Sequence, residues 1–417
     1  MKRFIVLILL VLPILTIAQQ QERKFGVKLS GYIKSDIFYD TRQVESAREG
    51  HFLLCPAPVL YDKDSNDINA KSSFNMLSIQ TRLTCNITGP DILGAETSGL
   101  VEGEFFGSTD LDMNGFRLRH AYLKLDWKHH TLLVGQTWHP MFVDDCFPTI
   151  VSVNTGAPFQ AFSRNPQIRY TLKYGPLNFL VAAISQRDFA SPGGSTSLRN
   201  SVMPDLCAQA KFIFKNPEKT REIIFGIGGG YKVLTPRLKT DSGYKTDASV
   251  GGFYGGAFIK VKTKPITVKL EGTYGQNLYN FTMLGGYAIK YDTNAYNLKR
   301  NYLNYTNLDN VAGWIDIHSN GEKFQAGLFA GYSYNLGSLN NIQNWNSESS
   351  YFTRGRNVLY CYRISPRVLY NIGKVRLALE LEYTVAGYGN KINSLGQVSE
   401  ITDVANLRAL LGVYYFF

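Results

Sequence analysis

Apolar and polar residues alternate with period two through much of the chain after residue 25, most clearly toward the C-terminus. Val375, Leu377, Leu379, Leu381 and Tyr383 oppose Arg376, Ala378, Glu380, Glu382 and Thr384. Just before them, Tyr360, Tyr362, Ile364, Val368 and Tyr370 interleave with Arg363, Ser365 and Arg367. Successive strand residues face opposite sides, so these segments are strands with one apolar and one charged face. Such charges are costly in the core of a β-sandwich but are solvated in a water-filled lumen. The pattern predicts an all-β, antiparallel transmembrane barrel. The last strand sets Leu407, Ala409, Leu411, Val413, Tyr415 and Phe417 against Asn406, Arg408, Leu410, Gly412, Tyr414 and Phe416, with Leu410 out of pattern.

The same reading places strands near 25–39, 74–87, 97–107, 116–127, 130–137, 166–174, 177–186, 205–214, 222–234, 250–263, 266–276, 310–319, 324–335, 357–371, 374–386 and 404–417. That makes sixteen, an even number as bacterial barrels require, with room for a further pair in 280–305. Short connections near 173–176, 262–265 and 371–374 suit periplasmic turns. The long polar segments 41–73, 187–203, 235–249, 277–309, 336–356 and 387–403 suit extracellular loops.

Composition supports this class: 26 Tyr, 25 Phe and 38 Gly, with no later apolar run long enough for a spanning helix. At the N-terminus, Lys2 and Arg3 precede an apolar run from Phe4 to Ile17, and Thr16-Ile17-Ala18 sets small residues at cleavage spacing. The expectation is a signal peptide over 1–18 and a single barrel over 19–417, with no room for a plug domain before the first strand. The net charge of +11 becomes +9 once Lys2 and Arg3 are removed (11 − 2). Export sets nucleic acid aside as the partner of that charge and leaves anionic lipid or anionic solutes.

Catalytic chemistry finds little footing. There is no HExxH or GxSxG motif, and no catalytic residue, cofactor or metal ligand is expected. Of five cysteines, Cys85, Cys207 and Cys361 fall in strands as packing residues. Cys55 and Cys146 fall in loops, and a disulfide between them is open.

The informative irregularity is 138–165, which is long, less polar than the other loops, and carries Pro140, Pro148 and Pro158. In a sixteen-stranded barrel it reads as a loop folded inward to constrict the pore, which would set Asp144 and Asp145 beside the lumen. The alternative is a surface loop touching neighbouring subunits. Alternation turns Arg169, Lys173, Lys211, Lys269, Arg363, Arg367, Arg376 and Arg408 inward. Arg82 joins them because Leu77, Ile79 and Leu83 take the other parity. Arg117 and Arg119 share a face, although Leu123 and Leu125 have the same parity. This basic set predicts mild anion preference. The competing reading pairs each Arg with Glu102, Glu104, Glu271, Glu380 or Glu382 as wall structure.

Gly31-Tyr32-Ile33-Lys34-Ser35-Asp36, Phe116-Arg117-Leu118-Arg119-His120-Ala121-Tyr122, Leu133-Val134-Gly135-Gln136-Thr137-Trp138 and Asn165-Pro166-Gln167-Ile168-Arg169-Tyr170 resemble the DcaP-like trimeric outer-membrane porins. The likeness covers about the first 170 residues. It implies an integral outer-membrane homotrimer of sixteen-stranded barrels, surrounded by lipid and assembled through its C-terminal strand by the barrel-assembly machinery. It also implies passive passage of small polar or anionic solutes such as dicarboxylates past the inward Arg and Lys residues named above. Some relatives carry a helical coiled-coil segment before the barrel, and none is expected in this sequence. Two other readings stand beside it: a non-conducting barrel serving as surface adhesin or scaffold, and a lumen or interface hydrolase.

Overall fold

The computed structural model describes residues 24–218 and 220–417, so the predicted signal peptide falls outside the described residues. Sixteen antiparallel strands close into a barrel. They are β1 (Gly26–Asp40), β2 (Ser73–Leu77 with Arg82–Thr88), β3 (Glu96–Glu104), β4 (Arg117–Asp126), β5 (His130–Trp138), β6 (Arg164–Tyr174), β7 (Leu177–Ile184) and β8 (Asp205–Lys215). The second half comprises β9 (Glu222–Leu234), β10 (Val250–Lys262), β11 (Ile266–Gln276), β12 (Asn304–Ser319), β13 (Phe324–Gly337), β14 (Val358–Ile372), β15 (Val375–Ile392) and β16 (Val398–Phe416). Closure pairs Tyr32 with Phe416 and Asp40 with Arg408. The Phe417 amide donates to the Gly31 carbonyl (3.2 Å), and Gly31 N–H returns the bond (3.3 Å). No edge is left unpaired, as a sheet in hydrocarbon requires.

All sixteen expected strands are present, and the differences have local causes. β15 and β16 run on above the wall, so the expected loop 387–403 shrinks to 393–397. Segment 280–305 does hold a strand, Gly285–Lys290, but it pairs with β12 and with Tyr351–Arg354 outside the sixteen-strand ring. In β2, four residues (78–81) stand opposite three of β1, because Tyr32 pairs with Arg82 and Asp36 with Leu77. The extra residue reverses parity, so Leu77 and Ile79 turn inward, Ile79 being buried beside Phe106 and Phe142. The expectation that they share the lipid face with Leu83 is corrected; Leu83 itself stays outside. A bulge resolves the conflict in β4: Glu102 pairs with His120 and Gly103 with Leu118, leaving Arg119 as the additional residue. Arg117 and Arg119 therefore point in while Leu123 points out.

The core lies inside the barrel's extracellular half. Loop L3 (139–163), between β5 and β6, is folded inward and almost wholly buried. A hairpin of loop L1 (41–72, between β1 and β2), Val44–Ala47 with Phe52–Pro56, packs over it. All five cysteines are free, Cys55 and Cys146 included, although both sit in one apolar cluster with Cys361.

Candidate functional site: a loop-filled lumen

L3 enters the barrel because its apolar residues find matching wall positions. Val143, Cys146 and Phe159 pack with Ile224, Phe258, Trp314 and Phe329, which project inward from β9, β10, β12 and β13. Gly331 on β13 makes the approach possible: a Cβ there would lie 2.5 Å from the Phe159 ring. The backbone of L3, denied water, is met by wall side chains. Glu380 accepts from the amides of Val151 (2.7 Å) and Ser152 (2.8 Å), and Asp316 accepts from Thr149 N–H (2.9 Å). Lys34 donates to the Val151 carbonyl (2.8 Å), Lys269 to that of Phe147 (2.9 Å), and Gln209 to that of Pro140 (2.8 Å).

L1 hangs from two buried arginines. Arg363 donates to the carbonyls of Leu53 (3.2 Å) and Leu54 (2.9 Å), to Ala157 of L3 (3.0 Å) and to the Thr384 hydroxyl (2.8 Å), beside Glu382 (3.4 Å). Arg408 grips Asp40 with two bonds (2.9 and 2.7 Å) and reaches the Gly50 and His51 carbonyls (2.6 and 3.2 Å). His51 Nε2 stands 2.7 Å from Asp36 Oδ2, and Tyr388 donates to the Pro56 carbonyl (2.7 Å).

The sequence-predicted residues thus divide by depth. Arg363, Arg367 and Arg408 point inward but are at most 3% exposed. They are held by Glu382, Asp316 (2.6 Å) and Asp40, and serve as anchors rather than free lumen charges. Arg82, Arg117 and Arg119 converge on Glu104 (3.1, 2.7 and 2.7 Å), with Arg119 also on Glu102 (2.8 Å). The wall-pairing reading names the partners of Arg82, Arg117, Arg119 and Arg363, whereas Arg367 and Arg408 pair with Asp316 and Asp40, which it did not include. The charges in the upper half are met by one another and by loop backbone, not by open water.

Below L3 the character changes. Asp144 is open to the interior, Asp145 pairs with Lys211, and Lys173 pairs with Asp126. Arg169 donates to the Trp138 carbonyl (2.5 Å) and Arg376 to Asn371 (2.8 Å). Although water reaches Asp144, the surrounding wall and L3 enclose it. That desolvation, eased by Arg169 and reinforced by Asp145, raises its carboxyl above the ordinary range. Lys124, Lys215 and Lys260 also face this lower chamber, Lys215 and Lys260 meeting at Glu222 (2.6 and 2.7 Å). The ion pairs of this chamber set five lysines (Lys124, Lys173, Lys211, Lys215, Lys260) on three carboxylates (Asp126, Asp145, Glu222).

Sequence reasoning missed Arg164, fully buried at the top of β6, whose Nε donates to Asp188 of the following loop (2.8 Å) and whose guanidinium lies over Trp138. It also missed Lys34 and Asp36 (3.0 Å apart), although their i, i+2 spacing on β1 was a readable signal for one shared face. Among the described residues, no group of three His, Cys, Asp or Glu is placed to hold a metal ion.

The family model described as DcaP outer membrane protein matches residues 17–224, about half of the chain. The chain belongs to the DcaP outer membrane protein family. Among solved structures, it resembles the outer membrane channel DcaP of Acinetobacter baumannii, with 16% identity over 94% of this chain and 98% of that one, at a TM-score of 0.69. It also resembles OmpT of Vibrio cholerae (12% identity, 95% of this chain and 99% of that one, TM-score 0.52). A third likeness is to an anion-selective porin from Comamonas acidovorans (10% identity, 94% and 100%, TM-score 0.52). No curated protein matches the sequence. At these identities the structures speak to fold. With the family assignment they make the chain an integral outer-membrane protein of a porin-type channel family.

Proposed function

We propose that this DcaP-family barrel is a passive, non-catalytic porin for small hydrophilic solutes, with mild preference for anions such as dicarboxylates, working as a homotrimer after removal of a signal peptide over 1–18. The observation that carries the reading is the inward L3, which divides the interior into a packed upper layer and a lower chamber with surplus Lys. Net positive lining favours anions at a narrow passage. Trimer formation is supported by polar features on the outer wall near β1–β5. Ser35 and Ser78 face outward and bond each other (2.7 Å), β2 is interrupted between Ser78 and Arg82, and Gln136 donates to the Leu118 and Arg119 carbonyls at the β4 bulge (3.3 and 3.2 Å). Lipid-exposed broken backbone is avoided in hydrocarbon, so a neighbouring subunit is the fitting cover. An OmpT neighbour is itself described in a trimer form.

Recordings of the purified protein in planar bilayers under a salt gradient test the proposal. A channel whose reversal potential has the anionic sign supports it; a barrel that never conducts sinks it. The second reading, a non-conducting barrel whose loops bind partners, draws on the burial of L1 and L3, and silent bilayers would favour it.

A further inference from the structure

The outer wall carries a groove that neither conduction nor trimer contact uses. Across one level of the sheet, register aligns Tyr170, Val181, Ala208, Gly229, Gly255 and Tyr274 on β6 to β11. All six have the outward parity of neighbours such as Ile168, Leu206 and Phe253. Large residues thus flank three small ones, and Ala183 widens the depression on the extracellular side. The resulting groove holds about 750 Å³ and is lined almost wholly by apolar atoms. Gly229 has a local packing reason, because a Cβ there would lie 2.8 Å from the Tyr254 carbonyl oxygen. No such constraint accounts for Ala183 and Ala208.

We propose that this groove seats an acyl chain of an outer-leaflet lipid. It is carried by β6 to β10, with its centre on β8 six strands round the sixteen-strand ring from the interrupted β2, so it lies outside the β1–β5 wall argued above to meet a second copy. It sits toward the extracellular ends of β7 to β9, hence in the outer leaflet. A line across four strands at about 4.8 Å spacing spans about 15 Å. Strand tilt of about 35–45° makes that line descend about 10 Å, well into a leaflet whose hydrocarbon depth is about 15 Å. The groove offers a chain no charge partner, so shape and burial alone select it. The proposal rests on the outer-membrane location and not on conduction, so it can fail while the channel reading stands, and the reverse.

The test uses full-length protein in vesicles of phosphatidylethanolamine and phosphatidylglycerol doped with a phospholipid carrying a mid-chain diazirine. Photolabelling is mapped by peptide mass. The expected result is label concentrated on the peptides holding 181–183 and 206–208. It should fall about tenfold in Ala183→Phe with Ala208→Phe, the loss expected when contact with roughly two methylenes is removed. Ala326→Phe, filling an outward alanine on β13, should leave it unchanged. Heat-modifiable gel mobility confirms that each variant is a folded barrel; if the double variant does not fold, Ala208→Leu alone replaces it. Uniform labelling around the wall would overturn the proposal. So would efficient cross-linking between copies through Ala208→Cys, which would assign the groove to a second chain.

Discussion

Replacing Arg363 with alanine probes the central structural claim, that two loops fill the upper lumen because buried wall arginines hold them. The guanidinium is fully buried and joins three loop carbonyls, the Thr384 hydroxyl and Glu382. Its loss leaves Glu382 without its cation, with Asn154 (2.9 Å) as remaining donor, and strips partners from Leu53, Leu54 and Ala157. Removing one member of a buried pair costs about 3–5 kcal/mol, and an orphaned buried carbonyl about 1–3 kcal/mol where water cannot reach it. Water enters as the loops loosen, so the lower figure, about 3 kcal/mol, is the expected weakening of loop docking. At about 1.4 kcal/mol per decade, that raises the undocked population on the order of a hundredfold. The wall ladder is untouched, so the barrel should still run as a folded species in unheated gels.

Two measurements read the result. In bilayers the variant should show larger and noisier conductance than wild type. Limited trypsin digestion should cut at Arg48 in L1, where the parent resists. Reversal potential should shift little, because Arg363 is buried and paired; a plain lumen-charge role would instead move it toward cations. Arg363→Lys keeps the charge without the fork and should fall between the two in conductance. Unchanged conductance together with an uncut L1 in Arg363→Ala would refute the anchoring argument.

Three further outcomes are expected. Gly331→Val should disturb L3 at its Phe159 contact and raise conductance much as Arg363→Ala does, whereas Gly272→Val, at a position where a Cβ meets nothing, should not; bilayer recording compares them. Because the Asp144 carboxyl is raised, lowering the pH neutralises it earlier than an ordinary aspartate, so anion preference should strengthen as the solution is acidified from neutral; Asp144→Asn should already show that stronger preference at neutral pH and lose the step. Deleting Phe417 removes its two backbone bonds to Gly31 and should lower the yield of heat-modifiable barrel in folding trials, while Phe417→Tyr, which keeps them, should fold like the parent.

The wall was legible because lipid imposes a single rule on every strand: the outward face must be apolar, so parity alone reveals inside and outside. That rule failed where the backbone inserts a residue, at 78–81 and at Arg119, and neither insertion has a local sequence signature. Leu410 shows what parity conceals. Its inward apolar side chain breaks the expected lumen pattern, and the structure buries it with Phe38, Leu369 and Val151 of L3. Ile224, Phe258, Trp314 and Phe329 are the same kind of exception: apolar side chains on the inner face, each a docking point for a loop far away in sequence. An open aqueous pore would have no use for them, since water there gains nothing from a tryptophan or phenylalanine wall. Inward apolar residues on otherwise alternating strands therefore mark where a loop enters a barrel, and charged residues beside them mark what ties its backbone down. By that criterion Glu380 and Arg363 were readable as anchors for L3 and L1 once Leu369 and Leu410 were seen to face the same interior. The lower chamber has fewer inward apolar residues beside its charges, and it is there that Lys173, Lys211 and Asp144 meet water.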